Sequence, residues 1–282
     1  MNTTGAPALS AASHLRAGLR IVLMVASLLV FLPLHLLARP VVRHSPFPRL
    51  FLAVFARIAG ARVRHAGTAL RQQAFFVANH VSWIDIPALA GATGTAFVAK
   101  AEVARAPLIG WLCRLNRTVF VQREARLDVA AQINALEAAL ADSHAIAVFP
   151  EGTTTDGLSL LPFKSAMLKV LEPPPPGIMV QPVLLDYGPL APFLGWVGEE
   201  SGIANALKIL ARAGTFPLTI HFLEPFSPKS CAGRKAIATE ARARIAAALE
   251  ERLGAPPRPF TRDVAAVRYV APGKEAHDRA EG

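Results

Sequence analysis

The sequence predicts an α/β fold, with a mixed, largely parallel sheet flanked by helices and an N-terminal hydrophobic, membrane-anchoring helical segment. Three observations carry that expectation. From about residue 72 onward, short apolar runs rich in β-formers alternate with helix-period segments. Residues 21–38 form an uncharged stretch of eighteen residues near the N-terminus. Nine arginines precede the first acidic residue, Asp85.

The N-terminal segment comes first. Ile21 to Ala38 is apolar apart from Ser27, Pro33 and His35. A spanning helix needs about 20 predominantly apolar residues, so this length is marginal, and Pro33 is expected to kink the helix or end it early. A second apolar stretch, Leu50 to Gly60, contains Arg57. The two could form a hairpin in one leaflet, or the first could span. Arg39-Pro40 after the first run is a poor match to the small-residue site of a cleaved signal peptide. The run is also more hydrophobic than an organellar transit peptide.

Strands are expected at residues 74–78, 95–99, 118–121, 145–149, 178–185 and 218–223. Asp128 to Ala141 reads as a helix with Val129, Ile133, Leu136 and Leu140 on one face. Phe163 to Leu171, Gly202 to Ala213 and Gly233 to Leu253 read as further helices, the last aligning Ile237, Ala241, Ile245, Leu249 and Leu253. The expected organisation is a basic anchoring segment over 1–62, an α/β domain over 63–254 and a loosely ordered tail over 255–282.

Composition narrows the function. Of 282 residues, 52% are hydrophobic and 18% charged, below the ~25% charged of typical soluble domains. Mean hydropathy is +0.37. Two cysteines, Cys113 and Cys231, build neither a disulfide framework nor a Cys-rich zinc site. The formal charge is +10, and the nine residues Arg16, Arg20, Arg39, Arg43, Arg49, Arg57, Arg62, Arg64 and Arg71 supply nearly all of it. Such a block docks on an anionic surface. Because it flanks lipid-soluble segments, anionic lipid is favoured over nucleic acid. Seven of the nine arginines follow the first apolar run, so the positive-inside tendency puts the body on the cytoplasmic face, read here as that of a bacterial inner membrane.

Two segments carry chemistry. Asn79-His80-Val81-Ser82-Trp83-Ile84-Asp85 follows the strand at 74–78. If the chain turns into a helix there, Asp85 can accept the Nδ1 proton of His80 and leave Nε2 as a base for a hydroxyl or thiol. Phe149-Pro150-Glu151-Gly152-Thr153 follows a buried strand, at the kind of strand end where α/β sheets place ligands. Glycine there lets backbone approach a ligand.

Together, and in this order, these segments resemble the PlsC-like glycerolipid acyltransferases, from about Phe75 to Phe226. Asn79-His80-x4-Asp85 is similar to the family's first block. Lys100 through Arg123, with Pro107, Gly110 and Val119-Phe120-Val121-Gln122-Arg123, is similar to the second. Phe149 to Thr153 is similar to the third, and Val180-Gln181-Pro182-Val183 to the fourth. The resemblance implies acyl transfer from an acyl thioester, acyl carrier protein or acyl-CoA, to a lysolipid hydroxyl at a membrane bilayer. It implies no cofactor beyond that co-substrate and no metal. His80 would be the general base and Asp85 its partner. Lys100 and Arg123 would meet an anionic headgroup or the donor's phosphates. Glu151, Gly152 and Thr153 would bind or brace, with backbone N–H groups near Gly152 as oxyanion donors. One departure stands out: many phosphate-acceptor members carry arginine where this chain has Thr154. That leaves lysophosphatidate and lyso-ornithine lipid both open as acceptors, with Lys164 a replacement charge. A metal-dependent hydrolase using His80, Asp85 and Glu151, or a non-catalytic lipid-binding membrane protein, are the competing expectations. No G-x-S-x-G elbow or HExxH helix occurs.

Overall fold

The computed structural model describes residues 10–42, 45–100, 118–121, 138 and 145–260. The expected helix at Asp128 to Ala141 and most of the second block, including Arg123, lie outside the described residues. Of Lys100, only the backbone is described.

Helix α1 runs Ala11–Ala38, capped by the Ser10 side chain. It starts well before the apolar run and passes through Pro33 without ending, so the expectation of early termination fails. Pro33 lacks one backbone N–H, and the defect falls near the C-terminal end of the helix, where only Leu34 to Ala38 follow. Helix α2, Phe47–Ala59, ends at Gly60 with φ 109°, a conformation that glycine adopts without strain. Strands β1 (Ala61–Ala66) and β2 (Ala74–Ala78) follow, then α3 (Asp85–Thr93), β3 (Ala96–Lys100), β4 (Val119–Val121), β5 (Ala145–Val148) and β6 (Met179–Asp186). Helix α4 (Gly202–Ala211), β7 (Phe216–Phe222) and α5 (Gly233–Leu253) complete the order.

The strands form one seven-stranded sheet in the order β1-β7-β6-β2-β5-β3-β4. Only β6 and β7 pair antiparallel; the other pairs are parallel. The mixed, largely parallel sheet read from the sequence is therefore present. The sequence analysis gives no strand at Ala61–Ala66. There Arg62 and Arg64 are exposed and β1 sits at the sheet edge, so its run is too charged to read as a core strand. The segment expected as a helix from Phe163 is a 3₁₀ helix, Ser165–Leu171.

At the centre of the sheet, every residue of β2 is 0% exposed, which is why Ala74-Phe75-Phe76-Val77-Ala78 is apolar without alternation. Phe76 and Ala78 face one core with α2, α3 and α4, joined by Ile84, Leu89, Leu185 and Ile209. Phe75 and Val77 face the other, closed by Leu168, Ile237 and Ala241. On α5, Ile237, Ala241, Ile245 and Leu249 are buried, but Leu253 in its last turn is exposed.

The arginines of the N-terminal segment have specific structural partners. Arg16 Nε donates to the Ala211 carbonyl at 3.0 Å. Arg20 donates to the carbonyls of Ile209 at 3.2 Å, Leu210 at 3.0 Å and Gly214 at 2.8 Å. The carbonyls of Ile209, Leu210 and Ala211 lie in the last turn of α4, and that of Gly214 lies just beyond it. Arg49 does the same for α3, donating to Gly91 at 3.1 Å and Ala92 at 2.7 Å. Helices α2 and α3 cross so closely that a Cβ on Gly91 would stand 2.7 Å from the Ala53 backbone. Three arginines that look from sequence like lipid-facing charges instead fasten the apolar helices to the body.

Candidate active site

The two sequence segments meet because their strands are neighbours. Strand β2 pairs parallel with β5 on one side and β6 on the other, so the residues that follow β2, β5 and β6 emerge at one end of the sheet. Asn79 locks that end: its side chain donates to the Leu185 carbonyl at 3.2 Å and accepts the Leu185 N–H at 2.7 Å, continuing the β2–β6 ladder past the strand.

The turn that follows is built around Asp85. Its Oδ2 accepts the Val81 N–H at 2.7 Å and the Ser82 N–H at 2.9 Å, and lies 2.8 Å from His80 Nδ1. Its Oδ1 accepts the Tyr187 hydroxyl at 2.5 Å. The carboxylate is 0% exposed, while the His80 side chain is 18% exposed. A carboxylate facing Nδ1 fixes that nitrogen as the N–H, which leaves Nε2 with its lone pair. The imidazole is also stacked on Phe149, with centroids 4.2 Å apart and planes at 15°, and Phe149 stacks in turn on Phe97 at 5.7 Å. The ring is thus held by a hydrogen bond at one edge and an aromatic face across its plane.

Glu151 reaches the same turn from behind. Its Oε1 accepts the His80 N–H and its Oε2 the Leu161 N–H, both at 2.8 Å. The side chain is buried, and burial pushes its carboxyl up to about 8, against the opposing pull of the two N–H groups. Arg242 of α5 holds the same loop, donating to the carbonyls of Leu161 at 3.0 Å and Leu160 at 2.7 Å. The His80 carbonyl accepts the Thr155 N–H at 2.8 Å, and the Val81 carbonyl accepts the Trp196 N–H at 3.0 Å. Nearly every backbone group of the turn is therefore committed to a partner.

Gly152 has φ 73°, and its N–H donates to the Phe149 carbonyl at 3.0 Å, closing a turn. That particular N–H is not available to an oxyanion. The buried Thr153 hydroxyl has no partner among the described residues. Thr154 is buried and its hydroxyl donates to the Trp196 carbonyl. As a metal set, His80, Asp85 and Glu151 are poorly disposed, since each oxygen of the two carboxylates accepts an N–H or O–H from the protein.

The sequence names Asn79 and Phe149 only as motif positions without a role, and Tyr187 not at all. Tyr187 had one signal: a hydroxyl-bearing aromatic at the end of a buried strand, in Asp186-Tyr187-Gly188. Away from the dyad, a groove of about 590 Å³ runs between α2, α3 and β1, with Arg57, Arg62 and Arg64 beside Leu50 and Val54.

Residues 60–186 match the family model described as Acyltransferase. The chain is 32% identical over 256 residues to the lyso-ornithine lipid O-acyltransferase of Rhodobacter capsulatus, covering 84% of this chain and 90% of that protein. It is 38% identical over 92 residues to the 1-acyl-sn-glycerol-3-phosphate acyltransferase of Neisseria gonorrhoeae, covering 33% of this chain and 36% of that one. The crystal structure of PlsC, the 1-acyl-sn-glycerophosphate acyltransferase of Thermotoga maritima, superposes with TM-score 0.56 at 20% identity, covering 90% of this chain and all of that one. That likeness shows a shared fold.

Proposed function

Because this chain belongs to the Acyltransferase family and is an acyltransferase, we propose that it moves a fatty acyl group from an acyl thioester to the hydroxyl of a lysolipid, with lyso-ornithine lipid as acceptor. The observation that carries the chemistry is the His80–Asp85 pair. His80 Nε2 takes the acceptor's hydroxyl proton as the oxygen attacks the thioester carbonyl. The tetrahedral intermediate collapses, the C–S bond breaks, and the thiolate leaves as a thiol with the proton carried by His80. Asp85 holds the tautomer and balances the imidazolium. No acyl-enzyme is needed.

Glu151 braces the turn, since both of its oxygens are already used on backbone. Gly152 and Thr153 are assigned to substrate binding, and the buried Thr153 hydroxyl has no partner among the described residues. Lys100 and Arg123 are assigned to the anionic part of donor or acceptor, acyl carrier protein or CoA thioester in the first case. Two observations favour lyso-ornithine lipid over lysophosphatidate. The lyso-ornithine relative aligns along 90% of its length and the glycerophosphate relative along 36%. The position where phosphate-acceptor members carry arginine is Thr154, here turned into the protein.

The same reading places the enzyme on a membrane. Helix α1 has mean hydropathy 2.6 over its most apolar window, of which 6% is buried. Val22, Leu29 and Leu37 are 62%, 67% and 74% exposed. Helix α2 packs back on α1 through Phe31 and Phe51, at 6.4 Å between centroids. The start of α1 is pinned to α4, and α2 leads into β1. The hairpin therefore leaves the body and returns to it, which suits a dip into one leaflet more than a crossing. Arg57, Arg62 and Arg64 of the α2–β1 groove, which have no partner among the described residues, add attraction to anionic lipid, roughly 1 kcal/mol each.

The test is vesicles carrying the enzyme, labelled acyl-carrier protein or acyl-CoA, and a panel of lysolipids. Label is expected in ornithine lipid with wild type and not with His80→Ala. Label in phosphatidate alone overturns the acceptor. Absence of transfer with either donor overturns the reaction, and full activity of His80→Ala overturns the base.

A further inference from the structure

We infer that Tyr187 is a positioning residue for acyl transfer, the third member of a hydroxyl–carboxylate–imidazole chain that sets the orientation and basicity of His80. This deepens the reading in which His80 is the base, and rests on it.

Both oxygens of Asp85 are occupied. Three donors converge on Oδ2: the imidazole and the N–H groups of Val81 and Ser82. All three come from the carboxylate's own turn. Oδ1 receives the Tyr187 hydroxyl, which comes from the far end of β6. The carboxylate is wholly buried, so without that hydroxyl Oδ1 would have lost its protein donor in a place that water does not reach. The Tyr187 hydroxyl thus holds the carboxylate from the side opposite its own turn.

Tyr187 is itself immobile. It is 1% exposed, packs on Phe216 at 6.1 Å between centroids, and follows directly from the strand that Asn79 clamps to β2. The position is set by the sheet rather than by the catalytic turn. Burial and the neighbouring carboxylate push the phenol well above its ordinary range, so the group facing Asp85 is an O–H donor at any working pH.

An alternative account is that Tyr187 only fills space and satisfies its hydroxyl on the nearest oxygen. The two accounts differ in what the hydroxyl does to charge. Drawing electron density toward Oδ1 weakens the hold of Oδ2 on a protonated imidazole. Removing the phenol hydroxyl strengthens that hold, so the base stays protonated to higher pH. The charged and titratable groups that bear on this pair are Glu151 from behind the turn, Arg242 acting on Glu151 from α5, and Ser82 beside the phenol. Asp186, the preceding residue, is turned to the other side of the strand, where it meets Arg252 and His221.

The experiment uses Tyr187→Phe in the full-length, vesicle-bound protein, with kcat and KM measured across pH and thermal melting as a control. Expected are a loss of kcat of about tenfold near neutral pH, the scale of one hydrogen bond to a charged group, with KM for both substrates unchanged. The acidic limb of the profile should move upward. A uniform loss at every pH, with the limb in place, would assign Tyr187 to packing alone and overturn the inference. Wild-type kinetics would overturn it too. If Tyr187→Phe melts well below wild type, Phe216→Leu, which perturbs the same packing and keeps the hydroxyl, should leave the limb unmoved; a matching shift there overturns the inference. His80→Ala separates the two levels: if it retains activity, the reading of the base falls, and if it is dead while Tyr187→Phe is normal, only the present inference falls.

Discussion

The turns that follow β2 and β5 lie side by side, and each places a carboxylate in a fully buried position. Their designs differ. Asp85 collects four donors, one of them a partly exposed imidazole. Glu151 collects two, both backbone N–H groups, and touches no reactive side chain. The first turn ends in an atom that can take a proton from something outside the protein. The second ends in atoms already committed to the first. The difference teaches that two segments of similar chemical appearance can divide the work, one presenting the reactive group and the other fixing the backbone beneath it.

That division breaks most visibly in side-by-side substitutions. His80→Ala should lower acyl transfer by about 10²–10⁴-fold with melting unchanged, since the loss falls on general-base chemistry. Asp85→Asn should follow it closely. If melting falls with activity, the first turn is a folding element and the contrast collapses.

Glu151→Ala is expected to behave the other way, with a drop in stability of about 2–4 kcal/mol as two buried N–H groups lose their acceptors, and activity lost in proportion to the disturbance of His80. The pH dependence of stability sharpens this. Burial pushes the Glu151 carboxyl up to about 8 in the folded chain, above the ~4.3 of an unperturbed glutamate. The folded state therefore holds a proton that the unfolded state releases between those values. Its contribution is fully present below the lower value and is lost as pH rises through about 8. Glu151→Gln should flatten that slope in denaturant titrations between pH 5 and pH 8. A slope equal to wild type would mean that another group sets it.

Smaller effects test how far the division extends. Arg20→Ala uncaps α4 and loosens α1 from the body, so a loss of roughly 1–2 kcal/mol is expected. Rates on vesicles should fall more than rates on detergent-dispersed lysolipid. Equal falls would remove the link between anchoring and this arginine. Smallest should be Thr154→Val, which deletes one hydroxyl bond to Trp196 and should cost about 1 kcal/mol with the acceptor preference unchanged. A shift in preference would make Thr154 a substrate contact.

Much of this was legible in advance. The alternation of apolar runs with helical periods announced the sheet, but the central place of Phe75-Phe76-Val77 in it appears only in the structure. The spacing from His80 to Asp85 was readable because the pair closes within one turn of chain. Less legible were features whose two halves lie far apart. Charge clustering made Arg16, Arg20 and Arg49 look alike, as groups for a lipid surface, yet each finds helix-end carbonyls distant in the chain. Strand β1 was hidden by its arginines, which edge strands tolerate and central strands do not.

What the sequence by itself determined is therefore local: two apolar N-terminal segments, the α/β alternation, and an imidazole within reach of a carboxylate. The tertiary structure alone decided that Glu151 stands beneath His80 and that Tyr187 closes the other side of Asp85. Those two facts depend on β5 and β6 flanking β2 in the sheet, and strand order arises from the packing of distant segments, which no run of neighbouring residues encodes.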